Sequence, residues 1–344
     1  MTAVSATVPR SYTGRVVVAV SIVALAWLLW QLLDVIIVVF GAVLFATFLL
    51  TLAEPLHRRL SLPPSAALAA VVLLLLVLLV LGGWLVGEPV ARQLGNLRDV
   101  LPQAFTAAAE WLGGNPVGQT LLEAWDTARV WSRAAGMAGF TLGALAGALL
   151  IVATGIFLAA DPALYRRGLL RLLPPEHRQR VDDALLAAGE GLSRWLLGQG
   201  VSMLAVGVLT SLGLWLIGMP LALALGIIAA ALDFVPYFGP IAAGLLIVLL
   251  AFAQGPEQAL YAALLVLAIQ QFESFVLVPF VQRWTVRLPP VLALIALMIF
   301  GLLFGPIGAL FAVPLMVVAM ILVQRLYVRD VVENNAPAAG RLPE

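Results

Sequence analysis

The stretch LALALGIIAAALDFVPYFGPIAAGLLIVLLAFA, residues 221–253, carries one charged side chain, Asp233, and is interrupted near its middle by Phe238-Gly239-Pro240-Ile241. A membrane-crossing helix needs only about 20 apolar residues, so the stretch is longer than one crossing requires. Proline removes a backbone donor, and glycine weakens a helix further. Such a break is stable within hydrocarbon only where protein or a water-filled cavity satisfies the freed backbone groups. The stretch therefore predicts a broken helix inside a membrane protein.

A second apolar stretch, residues 291–323, repeats the break as Phe304-Gly305-Pro306-Ile307. Outside the two stretches, the segments that are apolar and long enough to cross the bilayer are 16–33 and 35–53, joined by a turn at Asp34, then 65–86, 136–160, 196–217 and 261–281. Each broken stretch is either a re-entrant hairpin or a tilted span. If the hairpins enter from opposite faces, Arg283 and Arg287 lie on the cytoplasmic side together with the other arginines of short loops. The positive-inside rule favours this arrangement. We therefore predict six spans plus two broken hairpins, with eight spans as the alternative.

The overall composition supports the same class of protein. Of the 344 residues, 63% are hydrophobic and 11% are charged, and the mean hydropathy is +1.08. An ordinary soluble domain is about 45–50% apolar and about 25% charged. We therefore predict an all-α polytopic integral membrane protein whose first partner is the lipid bilayer. The formal net charge of +1 provides no basis for nucleic-acid binding, which requires a clustered basic surface.

Missing residue types exclude several kinds of chemistry. The chain has no cysteine and no lysine, and its two histidines are His57 and His177. Without lysine there is neither a Walker A loop for ATP nor a Schiff-base amine. Without cysteine there is no thiolate nucleophile or thiolate-ligated metal. The histidines form no H-E-x-x-H motif. We therefore predict that the protein is not an enzyme and holds no metal or cofactor.

We predict a single membrane transport domain over residues 1–344, with both termini cytoplasmic. Residues 88–133 form an outer amphipathic helical insertion, because apolar residues recur there at three- and four-residue steps. This insertion is either a small cap packed on the bundle or a moving lid. Residues 161–194 form a cytoplasmic loop with a helix start near Pro175, and residues 328–344 form a polar C-terminal tail. Tryptophans near the span ends, Trp195 among them, indicate an interfacial aromatic belt.

Small residues mark a candidate packing face. Gly139, Gly143 and Gly147 recur every four residues along the predicted fourth span. This spacing lets two helix backbones approach closely. It therefore predicts tight helix packing, within the chain or between subunits.

Carboxylates inside the apolar stretches are the candidate functional groups. A charged side chain at the bilayer centre costs about 2.5–3.5 kcal/mol on insertion scales, so it faces protein or water. Asp233 precedes the first break, and Glu273 lies mid-span beside Gln270 and Ser274. A polar stripe between broken helices is typical of the midplane site of secondary transporters. The structural alternative is that both carboxylates only satisfy the frayed backbone at the breaks.

Four motifs together resemble one protein family. Asp233-Phe-Val-Pro-Tyr-Phe-Gly-Pro240 is followed in order by Gln270-Gln-Phe-Glu273, by Val278-Pro279 with Pro290, and by Phe304-Gly-Pro-Ile-Gly308 with Val313-Pro314. This set is similar to the AI-2E family of bacterial transporters, the autoinducer-2 exporter group. The resemblance implies a bacterial inner-membrane transport protein that forms homo-oligomers. Some relatives are associated with furanone export and others with sodium or lithium/proton antiport.

We therefore expect a secondary exporter of a small polar solute, with Glu273 as the proton- or cation-responsive group. The alternatives are a Na⁺(Li⁺)/H⁺ antiporter that uses the same carboxylates and a membrane scaffold without transport activity. The candidate pathway or coupling residues are Asp233, Pro236, Tyr237, Gly239, Pro240, Gln270, Gln271, Glu273, Gly305 and Pro306.

Overall fold

The computed structural model describes residues 10–113, 141–282 and 289–333. All regular secondary structure within these ranges is helical, which confirms the all-α class. In chain order the helices are α1 (Arg10–Leu60), α2 (Pro64–Gly113), α3 (Thr141–Ala160), α4 (Pro162–Arg171), α5 (Pro175–Leu216), α6 (Ala222–Leu232), α7 (Phe238–Ala251), α8 (Pro256–Phe272), α9 (Val278–Gln282) and α10 (Pro290–Val323). A 3₁₀ turn, Phe252–Gln254, follows α7, and π-helical turns occupy Glu273–Leu277 and Gln324–Glu333.

The helices have the length and surface of a multi-pass membrane protein. Among the described residues, five helices are long and apolar enough to cross a bilayer, or six if the bent pair α3–α4 counts as one span. Large apolar side chains such as Leu79, Leu204 and Leu302 point outward and are more than two-thirds exposed. A soluble protein does not present this much apolar surface to water, whereas a bilayer solvates it.

The turn predicted at Asp34 is wrong. Residues 10–60 form one continuous helix of 51 residues, which at about 1.5 Å per residue is about 76 Å long, more than twice the hydrocarbon thickness. A lone aspartate in a run of leucine, valine and isoleucine, with no glycine or proline beside it, does not break a helix. Residues 16–53 are therefore not a pair of antiparallel spans. On which side of the membrane each end of this helix lies stays a prediction.

The second helix joins a predicted span to the predicted insertion. α2 continues without a break through Pro89 and Pro102. In its distal half, Ala104 is fully buried in an apolar cluster with Leu225 and Leu250, near the two ends of the first broken stretch. The Gln93 carboxamide oxygen also accepts a 3.0 Å hydrogen bond from the Ala224 N–H. The part of the insertion that the structure describes is thus a helix packed on the bundle, while residues 114–133 lie outside the described ranges.

The predicted cytoplasmic loop is also largely helical. α3 and α4 meet at an angle of 87°. Asp161 caps α4, because its carboxylate accepts a 2.9 Å hydrogen bond from the Leu164 N–H. α5 begins at Pro175, as the sequence predicted, and runs for 42 residues through the predicted loop into the span. This long helix provides one wall of the candidate site described below.

The first broken stretch is a helical hairpin. Leu221 and Ala222, at the start of α6, pack in one apolar cluster with Leu250 and Ala251, at the end of α7. Nearer the break, Ala229 packs with Ala243. The two helices are therefore antiparallel, and neither is long enough to cross the bilayer alone. This is the hairpin form that we predicted for residues 221–253.

The second broken stretch also folds back on itself. Gly305 has φ 64° and ψ −149°, outside the helical region, in the middle of α10. A β-carbon built on Gly301 would lie 3.8 Å from the β-carbon of Ala309, whereas residues eight apart in a straight helix are separated by about 12 Å. The chain thus reverses at Gly305, and only glycine adopts such a backbone conformation readily. That the two hairpins enter from opposite faces stays a prediction.

The structure describes the surroundings of Gly147, from the predicted packing face, and of Trp195, from the predicted aromatic belt. A β-carbon on Gly147 would meet nothing within 4 Å, so this glycine makes no close contact with the described residues. The close approach in α3 lies at Gly155, where a β-carbon would stand 3.0 Å from the Ala42 carbonyl oxygen of α1. Gly139 and the surroundings of Gly143 lie outside what the structure describes. Trp195 is buried rather than interfacial, with 8% of its surface exposed.

Candidate transport site

A cavity of about 360 Å³ lies between α5, the tip of the first hairpin and the region where α8 passes into the following π-helical turn. Its walls are mixed, and the second hairpin contributes the apolar side chains Ala293 and Val313. The polar side chains that line it are Gln199, Ser202, Asp233, Tyr237, Gln270, Glu273 and Ser274. A concave, mainly apolar pocket with a few convergent polar groups is typical of a site for a small ligand.

The hairpin tip is a tight, strained turn. Tyr237 has φ 67° and ψ −49°, and the Phe238 N–H donates a 2.8 Å hydrogen bond to the Pro236 carbonyl oxygen. These values define the rarer form of γ-turn, which is strained for a residue other than glycine. A β-carbon on Gly239 would lie 1.8 Å from the Leu232 carbonyl oxygen. The close return of the chain over α6 thus requires glycine at position 239.

Asp233 is held at this tip by α5. Its side chain is 2% exposed, and the Ser202 hydroxyl lies within hydrogen-bonding reach of its carboxyl group. The Gln199 carboxamide donates a 2.7 Å hydrogen bond to the Asp233 backbone carbonyl. Phe234 packs edge-to-face on Trp195, with ring centroids 5.7 Å apart. Polar and aromatic contacts to one helix therefore fix the position of the tip.

Glu273 begins the π-helical turn Glu273–Leu277 within the predicted span. A π-turn inserts an extra residue into a helix and is frequent at functional sites. The Glu273 carboxyl group lies within hydrogen-bonding reach of that of Asp233. The described residues offer no hydrogen-bond donor to Asp233 Oδ2 or Glu273 Oε2, although both atoms are buried. Two adjacent carboxyl groups can form a hydrogen bond only if one of them carries a proton.

The described lining of the cavity provides no basic side chain to balance the charge of this pair. None of the described residues that line the cavity is an arginine or a histidine. Like charges at such short range disfavour double ionisation. The arrangement can therefore hold a proton between the two carboxyl groups or bind a small cation by their oxygen atoms.

The structure brings most of the predicted site residues together. The candidates that line the cavity are Asp233, Pro236, Tyr237, Pro240, Gln270 and Glu273. Gly239 is buried directly behind them, against Leu232. Gln271 is exposed on the outer surface of α8. Gly305 and Pro306 form the reversal of the second hairpin and do not line this cavity.

Sequence reasoning missed Gln199 and Ser202. Both are polar residues within an apolar segment, Leu196–Ile217, so the criterion that identified Glu273 also applies to them. Because both side chains are uncharged, a search for charged groups in apolar stretches does not identify them. Both contact Asp233, which makes α5 the third element of the site.

A family model for AI-2E family transporters matches residues 17–327 of the chain. The chain belongs to the AI-2E family. A Mycobacterium tuberculosis (strain CDC 1551 / Oshkosh) relative is 28% identical over 314 residues, covering 87% of this chain and 84% of its own length. YrrI of Bacillus subtilis (strain 168) is 28% identical over 158 residues, which cover 46% of this chain and 45% of YrrI. YhhT of Escherichia coli (strain K12) is 25% identical over 234 residues, which cover 66% of this chain and 62% of YhhT.

These relatives carry names that designate them provisionally as transport proteins. The matches to the first Bacillus and Thermotoga relatives span about half of those proteins' lengths. Family membership and the helical architecture together identify a multi-pass membrane protein of a transporter family. The cavity described above lies within the matched region.

Proposed function

We propose that this chain is a proton-linked secondary transporter that exports a small polar solute, similar to autoinducer-2, across the bacterial inner membrane. The observation that carries the proposal is the Asp233–Glu273 pair, a buried and a half-buried carboxyl group that line one cavity without a basic residue among its described lining. Intramembrane carboxylates are expensive and typically mark proton or ion pathways.

The size and lining of the cavity favour a small, uncharged or cationic solute. A volume of about 360 Å³ lies at the lower end of the range for ligand pockets, about 300–1,000 Å³. Tyr237, Gln270 and Ser274 offer both donors and acceptors of hydrogen bonds. An anionic solute would meet two carboxyl groups and no basic side chain among the described lining residues, so we expect anions to be poor substrates.

The hairpin tip supports an alternating-access mechanism. In secondary transporters, broken helices provide half-helix ends and free backbone groups at a central site. Here the tip contributes Asp233 and Tyr237, while the spanning helix contributes Glu273. A change in the protonation of the pair alters the attraction between hairpin and span. We propose that this change moves the tip and opens the cavity to one side at a time.

A Na⁺(Li⁺)/H⁺ antiporter is the second candidate. Hard cations prefer oxygen ligands, and the two carboxyl groups lie beside the Ser202 hydroxyl. These oxygen atoms favour a monovalent cation as the transported species in this alternative.

Flux through purified protein separates the candidates. The chain is reconstituted into liposomes that enclose a pH-sensitive dye, and a proton gradient is imposed with and without Na⁺, Li⁺ or a panel of small polar solutes. Solute movement coupled to protons supports the exporter, and Na⁺- or Li⁺-dependent proton movement without a solute supports the antiporter. If neither flux exceeds that of protein-free liposomes, the transport proposal fails and a scaffold role is favoured. We further propose that the C-terminus is cytoplasmic and that the protein forms homo-oligomers.

A further inference from the structure

A short helix outside the candidate site has the features of a membrane-surface element. α4 follows the spanning helix α3 directly and is turned by 87° from it. A helix perpendicular to a span at its end lies along the plane of the bilayer. Asp161, at the bend, caps α4 through the Leu164 N–H. The bend is thus a defined junction rather than a frayed end.

One face of α4 packs against the rest of the protein. Arg166 projects toward α5, where its Nε lies 3.3 Å from Asp182 Oδ1. Both side chains are about one-third exposed, 33% and 29%. Ala163 and Leu170 share this face, at three- and four-residue steps from Arg166, and are half-buried. The ion pair fixes the rotation of α4 about its own axis.

The opposite face is apolar and exposed. Leu164, Tyr165, Leu169 and Leu172 each leave between 47% and 81% of their surface uncovered by the described residues. Arg167 and Arg171 are exposed at one border of this face. The helix Pro162–Arg171 contains three arginines and no acidic residue. An apolar face bordered by arginines is the pattern of helices that lie in the headgroup layer.

We propose that α4 is an interfacial helix that binds anionic phospholipid. Its apolar face lies among the upper acyl chains, and Arg167 and Arg171 contact the headgroup phosphates. The perpendicular turn at the end of a span places the helix at headgroup depth, and its uncompensated positive charge selects anionic over zwitterionic lipid. Arg166 does not take part, because Asp182 pairs with it.

Lipid selectivity tests the charge part of the proposal. The full chain is placed in nanodiscs that contain phosphatidylcholine and phosphatidylglycerol, and the lipids retained are counted by native mass spectrometry. Since each basic residue near an anionic surface is worth about a fivefold preference, R167Q/R171Q should lower the phosphatidylglycerol preference by about 25-fold. R58Q/R92Q is the matched control, because Arg58 and Arg92 pair with Glu54 and Glu88 of their own helices. An equal loss in both variants, or in neither, overturns the proposal.

Depth measurement tests the apolar part independently. The chain has no cysteine, so a spin label at L169C reports one position. We expect its accessibility to oxygen to resemble that of a lipid-facing reference, L149C on α3, rather than that of Q179C on the polar first turns of α5. A label at position 169 that is as accessible to a water-soluble nickel reagent as Q179C overturns the proposal. A label shielded from both reagents would show that protein rather than lipid covers this face and would overturn it too.

Discussion

The carboxyl groups of Asp233 and Glu273 lie within hydrogen-bonding reach of each other, although one belongs to a hairpin tip and the other to a π-helical turn of a spanning helix. Two different helical elements are thus joined by groups whose interaction depends on a proton. A shared proton joins them, and the loss of that proton leaves two like charges that repel. The pair is therefore placed where a protonation change acts directly on the packing of the hairpin.

We expect Glu273→Gln to leave the protein folded and to abolish the pH dependence of transport. Glutamine retains the size and hydrogen-bonding capacity of the protonated acid but cannot release the proton. Flux in liposomes between about pH 5.5 and pH 8.5 measures the effect. Glu257→Gln is the matched control, because Glu257 is an exposed carboxylate on α8 that pairs with Tyr261. An unchanged pH profile in Glu273→Gln would exclude Glu273 from coupling.

Gln199→Leu should destabilise the hairpin tip. The substitution removes the 2.7 Å hydrogen bond to the Asp233 carbonyl and leaves a buried acceptor unpaired, which costs about 1–3 kcal/mol. We expect lower thermal stability in detergent together with a reduced maximal flux. Gln271→Leu, at an exposed position of α8, should change neither quantity by a comparable amount. Equal stability of the two variants would contradict the role assigned to Gln199.

Gly239→Ala should be among the more damaging small substitutions in the chain. The added methyl group would lie 1.8 Å from the Leu232 carbonyl oxygen, so the backbone of the tip must shift. Overpacking of this kind costs about 1–3 kcal/mol. Gly147→Ala adds the same group in open space and should be neutral or slightly stabilising, because alanine favours helix. Similar melting temperatures for the two variants would show that the turn is looser than described.

Asp161→Ala should weaken the junction between α3 and α4. The side chain caps α4 through a 2.9 Å hydrogen bond from Leu164, and loss of an N-cap costs about 1 kcal/mol. Asp161→Asn keeps a capping oxygen without the charge and should retain most of the stability. Thermal unfolding of the three proteins ranks them. If Asn is as damaging as Ala, charge rather than capping is the contribution of Asp161.

Single cysteines test how the hairpins enter the bilayer. Pro256→Cys lies between the first hairpin and the next span, and Thr285→Cys precedes the second broken stretch. Hairpins entering from opposite faces predict labelling of position 256 from outside and of position 285 from inside. Labelling of position 256 from inside and of position 285 from outside would replace this topology with two full spans. The naturally cysteine-free chain makes each label unambiguous.

Local chemistry explains which parts of the fold could be predicted. Proline and glycine inside an apolar run have few structural solutions in a membrane, so both breaks were correctly interpreted as hairpins. The turn at Asp34 was wrong because a hydropathy pattern counts apolar residues and does not register the absence of a helix breaker. A continuous helix and two short spans have the same composition, and only the backbone distinguishes them.

The sequence identifies the charged residues of the candidate site but not all of its uncharged polar residues. Asp233 and Glu273 are conspicuous in apolar stretches, and the structure brings them together. Gln199 and Ser202 are not conspicuous, because an uncharged polar residue is tolerated in a span at low cost. The π-helical turn at Glu273 shifts the helical phase of the residues that follow it. Only α9, Val278–Gln282, follows within this described range, and it is too short to reveal the shift in a hydropathy pattern.

Because α2 is continuous, it connects its apolar proximal half rigidly to the distal half that contacts the first hairpin. Its proximal half is apolar enough to cross the bilayer, while its distal half packs on the base of the first hairpin through Ala104, and Gln93 bonds the first turn of α6. Force applied to the distal turns is thus transmitted to the helices that carry Asp233 and Tyr237. We therefore expect an antibody fragment that binds the distal end of α2 to restrict movement of the first hairpin without occupying the cavity.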